Sequence, residues 1–202
     1  GVWAPVATST TVTFSIVNSL GATAVFVGGN TCITVAGTCS ITINSPTPGH
    51  VVVNASASPV VYGVSLPVTT GTGGLNSADA QKDYVNARIS IATTATNEVG
   101  DDHNFKVKVE KSVSAGVWTP VSGAIVDATP SPVPGTFDES DCSAGTDGSG
   151  QCTVNLNSND AGVFTVNASS TISVGGVVFN LLTNGQNGNS PAAVKTYVDG
   201  SI

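Results

Sequence analysis

Apolar and polar residues alternate along short stretches of this 202-residue chain, and no stretch places apolar residues at helical spacing. In the segment Asn104–Val113, Phe105, Val107 and Val109 alternate with charged residues. The segment Gln151–Ser158 repeats the alternation. Because successive side chains of a strand point to opposite faces, this pattern predicts half-buried β-strands.

Further strands are predicted by the same pattern at Ala87–Ala95, Ser122–Thr129, Ala161–Ser169 and Ser170–Leu182. In the last of these, Gly175 and Gly176 form a two-residue turn signal, which predicts a β-hairpin. Clusters of turn-forming residues separate the strands. About seven short strands of this kind predict an all-β fold built from tandem immunoglobulin-like β-sandwiches.

The chain contains an internal repeat. The stretch "CSITINSPTPGHVVVNASAS" from Cys39 returns as "CTVNLNSNDAGVFTVNASST" from Cys152, a shift of 113 positions (152 − 39). At the same shift, "KDYVNARI" from Lys82 returns as "KTYVDGSI" from Lys195. "GVWAPV" at the start of the chain also returns, as "GVWTPV". A long, colinear match of this kind indicates duplicated domains.

The phase of the repeat predicts the domain boundaries. We expect one complete immunoglobulin-like repeat at 80–192 and a partial repeat, with its first strands missing, at 1–79. Residues 193–202 would then be the first strand of a following repeat. On this interpretation the sequence is a window of a longer tandem array.

Composition excludes several classes of function. Only six Lys and Arg residues are present and the net charge is −7, so no basic patch for nucleic acid can form. No apolar run reaches the roughly 20 residues of a membrane-spanning helix, so we expect no membrane insertion by this segment. We expect no cofactor.

The four cysteines occupy matching places in the two repeats, as the pairs Cys32/Cys39 and Cys142/Cys152. They lack the CxxC spacing of zinc sites, and no cluster of His or further Cys lies nearby. The pattern predicts one local disulfide in each unit, and hence an oxidising compartment. An extracellular, cell-surface location follows as an expectation.

Other candidate residues fit structural roles better than chemical ones. His50 and His103 have no GxSxG-type nucleophile to act on. Carboxylates at Asp138, Glu139 and Asp141 lie in a Pro- and Gly-rich loop, where they are usually solvated. We therefore expect no catalytic residues and no enzymatic activity.

Calcium and glycans are weaker alternatives. Asp101–Asp102 and the Asp138–Asp147 loop offer oxygen ligands, but "GGNTC" in the first repeat has no acid at the matching place. We expect no metal site. Two sequons begin at Asn54 and Asn167, which makes these asparagines candidate glycosylation sites.

The stretch "TDGSGQCTVNLNSNDAGVFTVNAS" (Thr146–Ser169) resembles bacterial immunoglobulin-like (Big) domains of the invasin and intimin type. The segment Val85–Val109 is similar to the opening segment of such domains in tandem surface proteins. The paired cysteines depart from the common pattern of the family. The resemblance implies a rod-like extracellular stalk or adhesin region and implies no catalysis.

These observations favour a structural protein, a tandem array that forms a stalk, adhesin or surface filament segment. Its expected partners are neighbouring immunoglobulin-like repeats of the same chain or filament, and the identity of a host or surface ligand stays open. One alternative is a carbohydrate- or receptor-binding module, which would carry an aromatic or acidic cluster special to one unit. Another is a self-assembling filament subunit that uses strand donation.

Overall fold

The computed structural model describes residues 4–6, 9–92 and 94–200. The chain divides into two compact units. Unit 1 comprises Gly1–Tyr84 with Val113–Gly116, and unit 2 comprises Val85–Ser112 with Val117–Ile202.

Unit 1 is built from antiparallel strands. Its described residues form β1 (Thr11–Ser19), β2 (Val25–Val27), β3 (Thr31–Ile33), β4 (Thr42–Asn44), β5 (Gly49–Ala57), β6 (Val60–Val61), β7 (Val64–Ser65), β8 (Val68–Thr69) and β9 (Ala80–Tyr84). The main sheet has the order β3-β1-β5-β8, and β9 pairs with β5 on the side of β8. Strands β2 and β4 form a separate pair, as do β6 and β7.

Apart from Val113 and Ser114, which lie at the end of one strand and belong to unit 1, unit 2 contains the remaining strands and a short helix. These are β10 (Asn86–Ile91), β11 (Thr94–Glu98), β12 (His103–Ser114), β13 (Val117–Pro120), β14 (Val126–Ser131), β15 (Thr136–Asp138), α1 (Ser140–Ala144), β16 (Gln151–Asn157), β17 (Gly162–Val174), β18 (Val177–Leu182) and β19 (Ala193–Val198). One sheet has the order β10-β12-β16-β15, with β13 on β12. The other has the order β11-β19-β17-β14, with β18 on β17. Within the described residues, none of the helices is long and apolar enough to cross a membrane.

The alternating residues of the two sheets of unit 2 form one core. Phe105, Val107 and Val109 of β12 are fully buried, as are Val154 and Leu156 of β16. Residues of the second sheet complete the cluster from the other side. The predicted all-β fold of immunoglobulin-like sandwiches is therefore confirmed.

Unit 1 has a much smaller core. Its buried cluster consists of Ala22, Ala24, Val51 and Val53. Partly buried side chains, among them Phe14 and Ile43, pack against this cluster. The strands that would correspond to β10, β11 and β12 are not among the described residues of unit 1, so one of its two sheets is represented only by the pair β2–β4.

The structure divides the chain at other positions than the expected 1–79, 80–192 and 193–202. Residues 80–84, expected to open the second repeat, pair as β9 with β5 and belong to unit 1. Residues 193–198, expected to open a third repeat, pair as β19 with β17 and β11 of unit 2. The reason is that Ala193, Lys195 and Tyr197 turn into the core of unit 2 and close its sheet. Residues 201–202 lie outside the described residues.

The predicted strand Ala87–Ala95 is also two strands. Its first part is β10, which pairs with β12, and its second part enters β11, which pairs in parallel with β19. The chain therefore passes from one sheet of unit 2 to the other within a few residues. Local alternation could not reveal this crossing, because both strands alternate.

Candidate functional site

Both disulfides expected from the sequence are present. Cys142 of α1 is joined to Cys152 of β16, with Cα atoms 4.9 Å apart, and both residues are buried. Cys32 of β3 is joined to Cys39, with a Cα separation of 6.0 Å. The first bridge joins β3 to the loop that follows it, and the second joins the short helix to the strand that follows it. All four cysteines are used in these bridges.

A tyrosine holds the last strand of each unit to the opposite sheet. The hydroxyl of Tyr197 lies 2.6 Å from the carbonyl oxygen of Leu156 and 2.9 Å from that of Asp101, so its single proton is shared between these two acceptors. The hydroxyl of Tyr84 donates to the carbonyl oxygen of Ile43 at 3.1 Å. Tyr84/Tyr197 and Ile43/Leu156 are both separated by the repeat shift. In both units, therefore, the repeated "KxYV" sequence is a strand whose tyrosine makes the equivalent hydrogen bond within its own unit.

A glycine and a proline meet at the same place in both units. Gly37 has φ +81°, and a Cβ added to it would lie 2.8 Å from Cβ of Pro5. Gly150 has φ +73°, and its added Cβ would lie 2.9 Å from Cβ of Pro120. The positive φ and the close approach both require glycine. The two units therefore place a glycine against a proline at equivalent positions.

The carboxylates of the Asp138–Asp147 loop are used to fix the backbone. Asp138 accepts the N–H of Ser140 at 2.9 Å, Glu139 that of Ala128 at 2.7 Å, and Asp141 that of Thr153 at 2.7 Å. The hydrogen bonds from Ser140 lower the pKa of Asp138. Among the described residues, no three His, Cys, Asp or Glu side chains are grouped so that they could hold a metal ion.

The two histidines lie in different surroundings. His50 of β5 is 2.6 Å from a carboxylate oxygen of Asp83, its neighbour on β9. The ring of His103 packs edge-on against Phe105, with centroids 4.5 Å apart. Burial, and then the charge of Lys195, lower the pKa of His103. Each ring therefore contacts a neighbouring side chain of its own unit.

The candidate glycosylation sites lie inside the central strands. Nδ2 of Asn54 donates to the carbonyl oxygen of Thr70 at 2.8 Å and to Oδ1 of Asp79 at 2.9 Å. These bonds occupy the nitrogen to which a glycan would be attached. Asn167 lies half-buried on β17, opposite Thr129. Glycosylation of either residue stays a prediction.

Lys195 is buried in unit 2, a feature that alternation alone did not signal. Its side chain is fully buried, and its Nζ has no hydrogen-bond partner among the described residues. The nitrogen lies 4.6 Å from the centroid of the Tyr197 ring. Burial lowers the pKa of Lys195, and the charge of Asp101 opposes this in part. Lys82, the equivalent residue of unit 1, is exposed.

An ionic cluster covers the outer face of the β10–β12 pair. Arg88 and Lys108 contact the two carboxylate oxygens of Glu110 at 2.7 and 2.6 Å. The guanidinium of Arg88 also lies over the Trp118 ring, 4.1 Å from its centroid. Burial acts to raise the pKa of Glu110, but the hydrogen bonds and charges of Lys108 and Arg88 outweigh it and lower the pKa. Trp118 is therefore covered by a side chain of its own unit.

No protein-family model matches the chain, and no curated protein matches it. Among solved structures, the chain is similar to the D0-D1 domain of intimin, with 26% identity and a TM-score of 0.33, covering 95% of this chain and 84% of that one. It is also similar to domains 4 and 5 of the S-layer protein SbsC, with 16% identity and a TM-score of 0.36, covering 93% and 76%. A third similar structure is that of the Escherichia coli adhesin FdeC, with 14% identity and a TM-score of 0.33, covering 98% and 55%. Because every TM-score is below 0.5, we infer function from the residues of the chain itself.

Proposed function

We propose that the chain is a structural segment of a bacterial extracellular surface protein, in which immunoglobulin-like units act as stalk, adhesin or filament modules. The observation that carries this proposal is the duplication of purely structural devices. Disulfide, tyrosine hydrogen bond and glycine–proline contact all recur in both units. The carboxylates that a catalytic site would use are bound to backbone N–H groups instead. The two disulfides fit an oxidising compartment.

The strand order of unit 2 fits a mechanical role. Strands β11 and β19 lie near the two ends of the unit and run parallel, paired from Thr94/Val194 to Glu98/Val198. A further bond joins the N–H of Val99 to the carbonyl oxygen of Val198 at 3.0 Å. Tension applied through the ends of the unit would pull these strands in opposite directions along their length. All of their hydrogen bonds would then carry the load together.

Single-molecule force measurements on the 202-residue chain, held between two handle proteins, test this role. We expect a distinct force peak when unit 2 unfolds. The Cys142–Cys152 bridge closes a loop of sequence separation 10. Since an extended residue spans up to about 3.6 Å and the bridged Cα atoms already lie 4.9 Å apart, reduction should lengthen the extension gained in that step by about 31 Å. Unfolding of unit 2 at forces too low to give a peak would refute the mechanical role.

The surface location has a separate test. Antibodies raised against unit 2 should label intact source cells, and the extracted source polypeptide should be far larger than 20 kDa if the units belong to a tandem array. A mature species near 20 kDa would favour the assembling subunit instead. Labelling only after cell lysis would contradict the proposed location.

Tyr62 favours a second candidate function, binding of a surface receptor or carbohydrate. It lies at the turn between β6 and β7 and is fully exposed, beside the exposed apolar residues Val61 and Val64. The equivalent turn of unit 2 is Gly175–Gly176, so this aromatic tip is special to unit 1. Binding to host cells or to a glycan array that disappears in Tyr62→Ser would support this function. Absence of binding, or binding unchanged by the substitution, would speak against it.

A further inference from the structure

Among the described residues, nothing covers one side of the sheet of unit 1, whose equivalent in unit 2 is buried. Matching positions follow from strand pairing: Val12–Ala57–Val68 form a row across β1, β5 and β8, and Val126–Ser170–Leu181 form the same row across β14, β17 and β18. The row of unit 2 is buried, and β10 packs against β17 and β18. In unit 1, Val12 is only half-buried and Val68 is 39% exposed, against 5% for Leu181.

The opposite sheet of unit 1 is uncovered in the same way. Strand β16 is paired on one edge with β15 and on the other with β12. Strand β4, its equivalent, pairs with β2, and no other described strand lies on its second edge. Ile41 and Ile43 are accordingly half-buried, although their equivalents Val154 and Leu156 are fully buried. Unit 1 thus presents an apolar surface and an unpaired strand edge together.

A short polar motif holds β10 in place in unit 2. Oδ1 of Asn189 accepts the N–H of Ile89 at 2.9 Å, and Oγ of Ser190 accepts the N–H of Ile91 at 3.0 Å. The N–H of Ser190 donates to the carbonyl oxygen of Ile89 at 3.1 Å. Asn189 and Ser190 therefore act as a pairing partner for the outer edge of β10.

The same motif is present in unit 1 without a strand to hold. Asn76 and Ser77 stand 113 positions before Asn189 and Ser190, and both are exposed. They line a cleft of about 290 Å³ together with Val12, Ala57 and Val68, members of the uncovered row. The cleft thus combines apolar side chains with an Asn-Ser pair, as does the place in unit 2 that is occupied by β10.

We propose that the uncovered side of unit 1 binds a strand pair of the β10–β12 type, an extended segment with the pattern of Val85–Ser112 that is not already part of a sandwich. Its first strand would place alternate apolar side chains over Val12 and Val68 and pair its backbone with Asn76 and Ser77. Its second strand would pair with the free edge of β4. This is recognition by strand addition, in which backbone bonds give affinity and alternate side chains give specificity. The inference holds whether or not the chain serves as a mechanical spacer.

The segments of a second copy of the chain fit less well as the occupant. In the structure Ile89, Val107 and Val109 are fully buried in their own unit 2, so lending this segment would open that core. The terminal strand β19 is also engaged, between β17 and β11. A segment with the same pattern but without its own sandwich would lose nothing by binding.

The test places a second copy of Val85–Ala115 directly before Gly1 of the full 202-residue chain and measures amide hydrogen exchange by mass spectrometry. We expect peptides that cover 41–44 and 76–84 to exchange at least tenfold more slowly than in the parent chain. Unit 2 should be unchanged, and the fused protein should be a monomer by light scattering. A matched control carries aspartate at the positions of Ile89, Val107 and Val109 in the added copy only, and should give no slowing.

A second variant separates strand binding from general shielding. In the fused protein, Asn76→Ala with Ser77→Ala should remove most of the slowing, because the added strand loses its edge partner. No slowing in the fused protein, or equal slowing with the aspartate control, would overturn the proposal. So would a parent chain that is already a dimer in which residues 85–112 exchange between copies, since the occupant would then be a second copy.

Discussion

Replacing Lys195 with methionine should stabilise unit 2 at neutral pH. The Lys195 side chain is fully buried in the core beside Tyr197, and its Nζ lacks a hydrogen-bond partner within the described part of the chain. Methionine has a similar length and flexibility and carries no buried charge. The substitution therefore removes an unsatisfied ammonium group and keeps the packing of the chain's methylene groups.

Two contributions set the size of the effect. An unsatisfied buried polar group costs about 1–3 kcal/mol, and more when it is charged. The ammonium also gains about 0.5–2 kcal/mol from the face of the Tyr197 ring, which lies 4.6 Å away. We expect Lys195→Met to raise the free energy of unfolding by about 1 kcal/mol. For a unit of this size, that corresponds to a Tm increase of about 4 °C.

The stabilisation should depend on pH in a defined direction. Burial lowers the pKa of Lys195 in the folded state, while the unfolded side chain titrates near 10.4. Between these two pKa values the unfolded state binds more protons, so the stability of the parent chain rises with pH. The advantage of methionine is therefore full below the folded pKa of Lys195 and disappears as the pH approaches 10.4.

Urea unfolding followed by fluorescence provides the assay. In a Trp3→Phe background, Trp118 of unit 2 is the only tryptophan. Free energies of unfolding are compared between the parent and Lys195→Met from about pH 6 to about pH 10.5, which reaches the unfolded pKa of lysine. The matched control is Lys106→Met, at an exposed position of β12 in the same unit, which should change the free energy of unfolding by less than about 0.5 kcal/mol. A destabilised Lys195→Met with a pH-independent difference would refute the reasoning, because it would mean that the ammonium is well solvated or paired.

Three further predictions concern the duplicated and ionic contacts. Cys142→Ala with Cys152→Ala should cost roughly 2.5–3 kcal/mol in the free energy of unfolding of unit 2, measured in urea, from the chain entropy released by a loop of sequence separation 10; a loss below 1 kcal/mol would show that this loop is already ordered without the bridge. Tyr197→Phe should lower the free energy of unfolding of unit 2 by about 1–1.5 kcal/mol, because it leaves a buried carbonyl without its donor. Tyr84→Phe should cost unit 1 less, because Tyr84 is only half-buried; equal losses would contradict this order. Glu110→Gln should destabilise unit 2 by about 1–3 kcal/mol at pH 7. Because the pKa of Glu110 is lower in the folded state, the difference in stability from the parent should fade as the pH drops from the unfolded pKa through the folded pKa. A difference that stays constant down to pH 2 in acid titrations would disprove the ion-pair role.

Local pattern predicted much of each sheet, and the errors have one physical source. The alternation of Phe105, Val107 and Val109 correctly placed a half-buried strand, and the matching cysteines correctly gave the disulfides. Strand partners, by contrast, are set by contacts far apart in the sequence. The similarity of "KDYVNARI" and "KTYVDGSI" therefore revealed the repeat but not which sheet each strand closes. Burial of Lys195 escaped prediction for the same reason, since the strand that pairs beside it, β11, comes from a distant part of the chain.

The role of the repeated Asn-Ser motif is evident only from the structure. "NS" recurs at Asn76 and Asn189, but two residues of this kind carry no chemical signature in the sequence alone. Its meaning depends on the strand that it holds in unit 2, where both side chains accept backbone N–H groups of β10.

A single segment accounts for the differences between the two units. Unit 2 contains Val85–Ser112, and with it a buried core that unites both sheets. Unit 1 has equivalents of the other strands, the disulfide and the tyrosine, yet its core stays small and Ile33 and Val35 are more than half exposed. Isolated apolar residues are common on surfaces, but an apolar row beside a free strand edge invites pairing with another chain. Covering that row with a strand pair of the kind found in unit 2 would remove both hazards at once. For this reason we propose that the partner of unit 1 is a strand pair with the sequence pattern of Val85–Ser112.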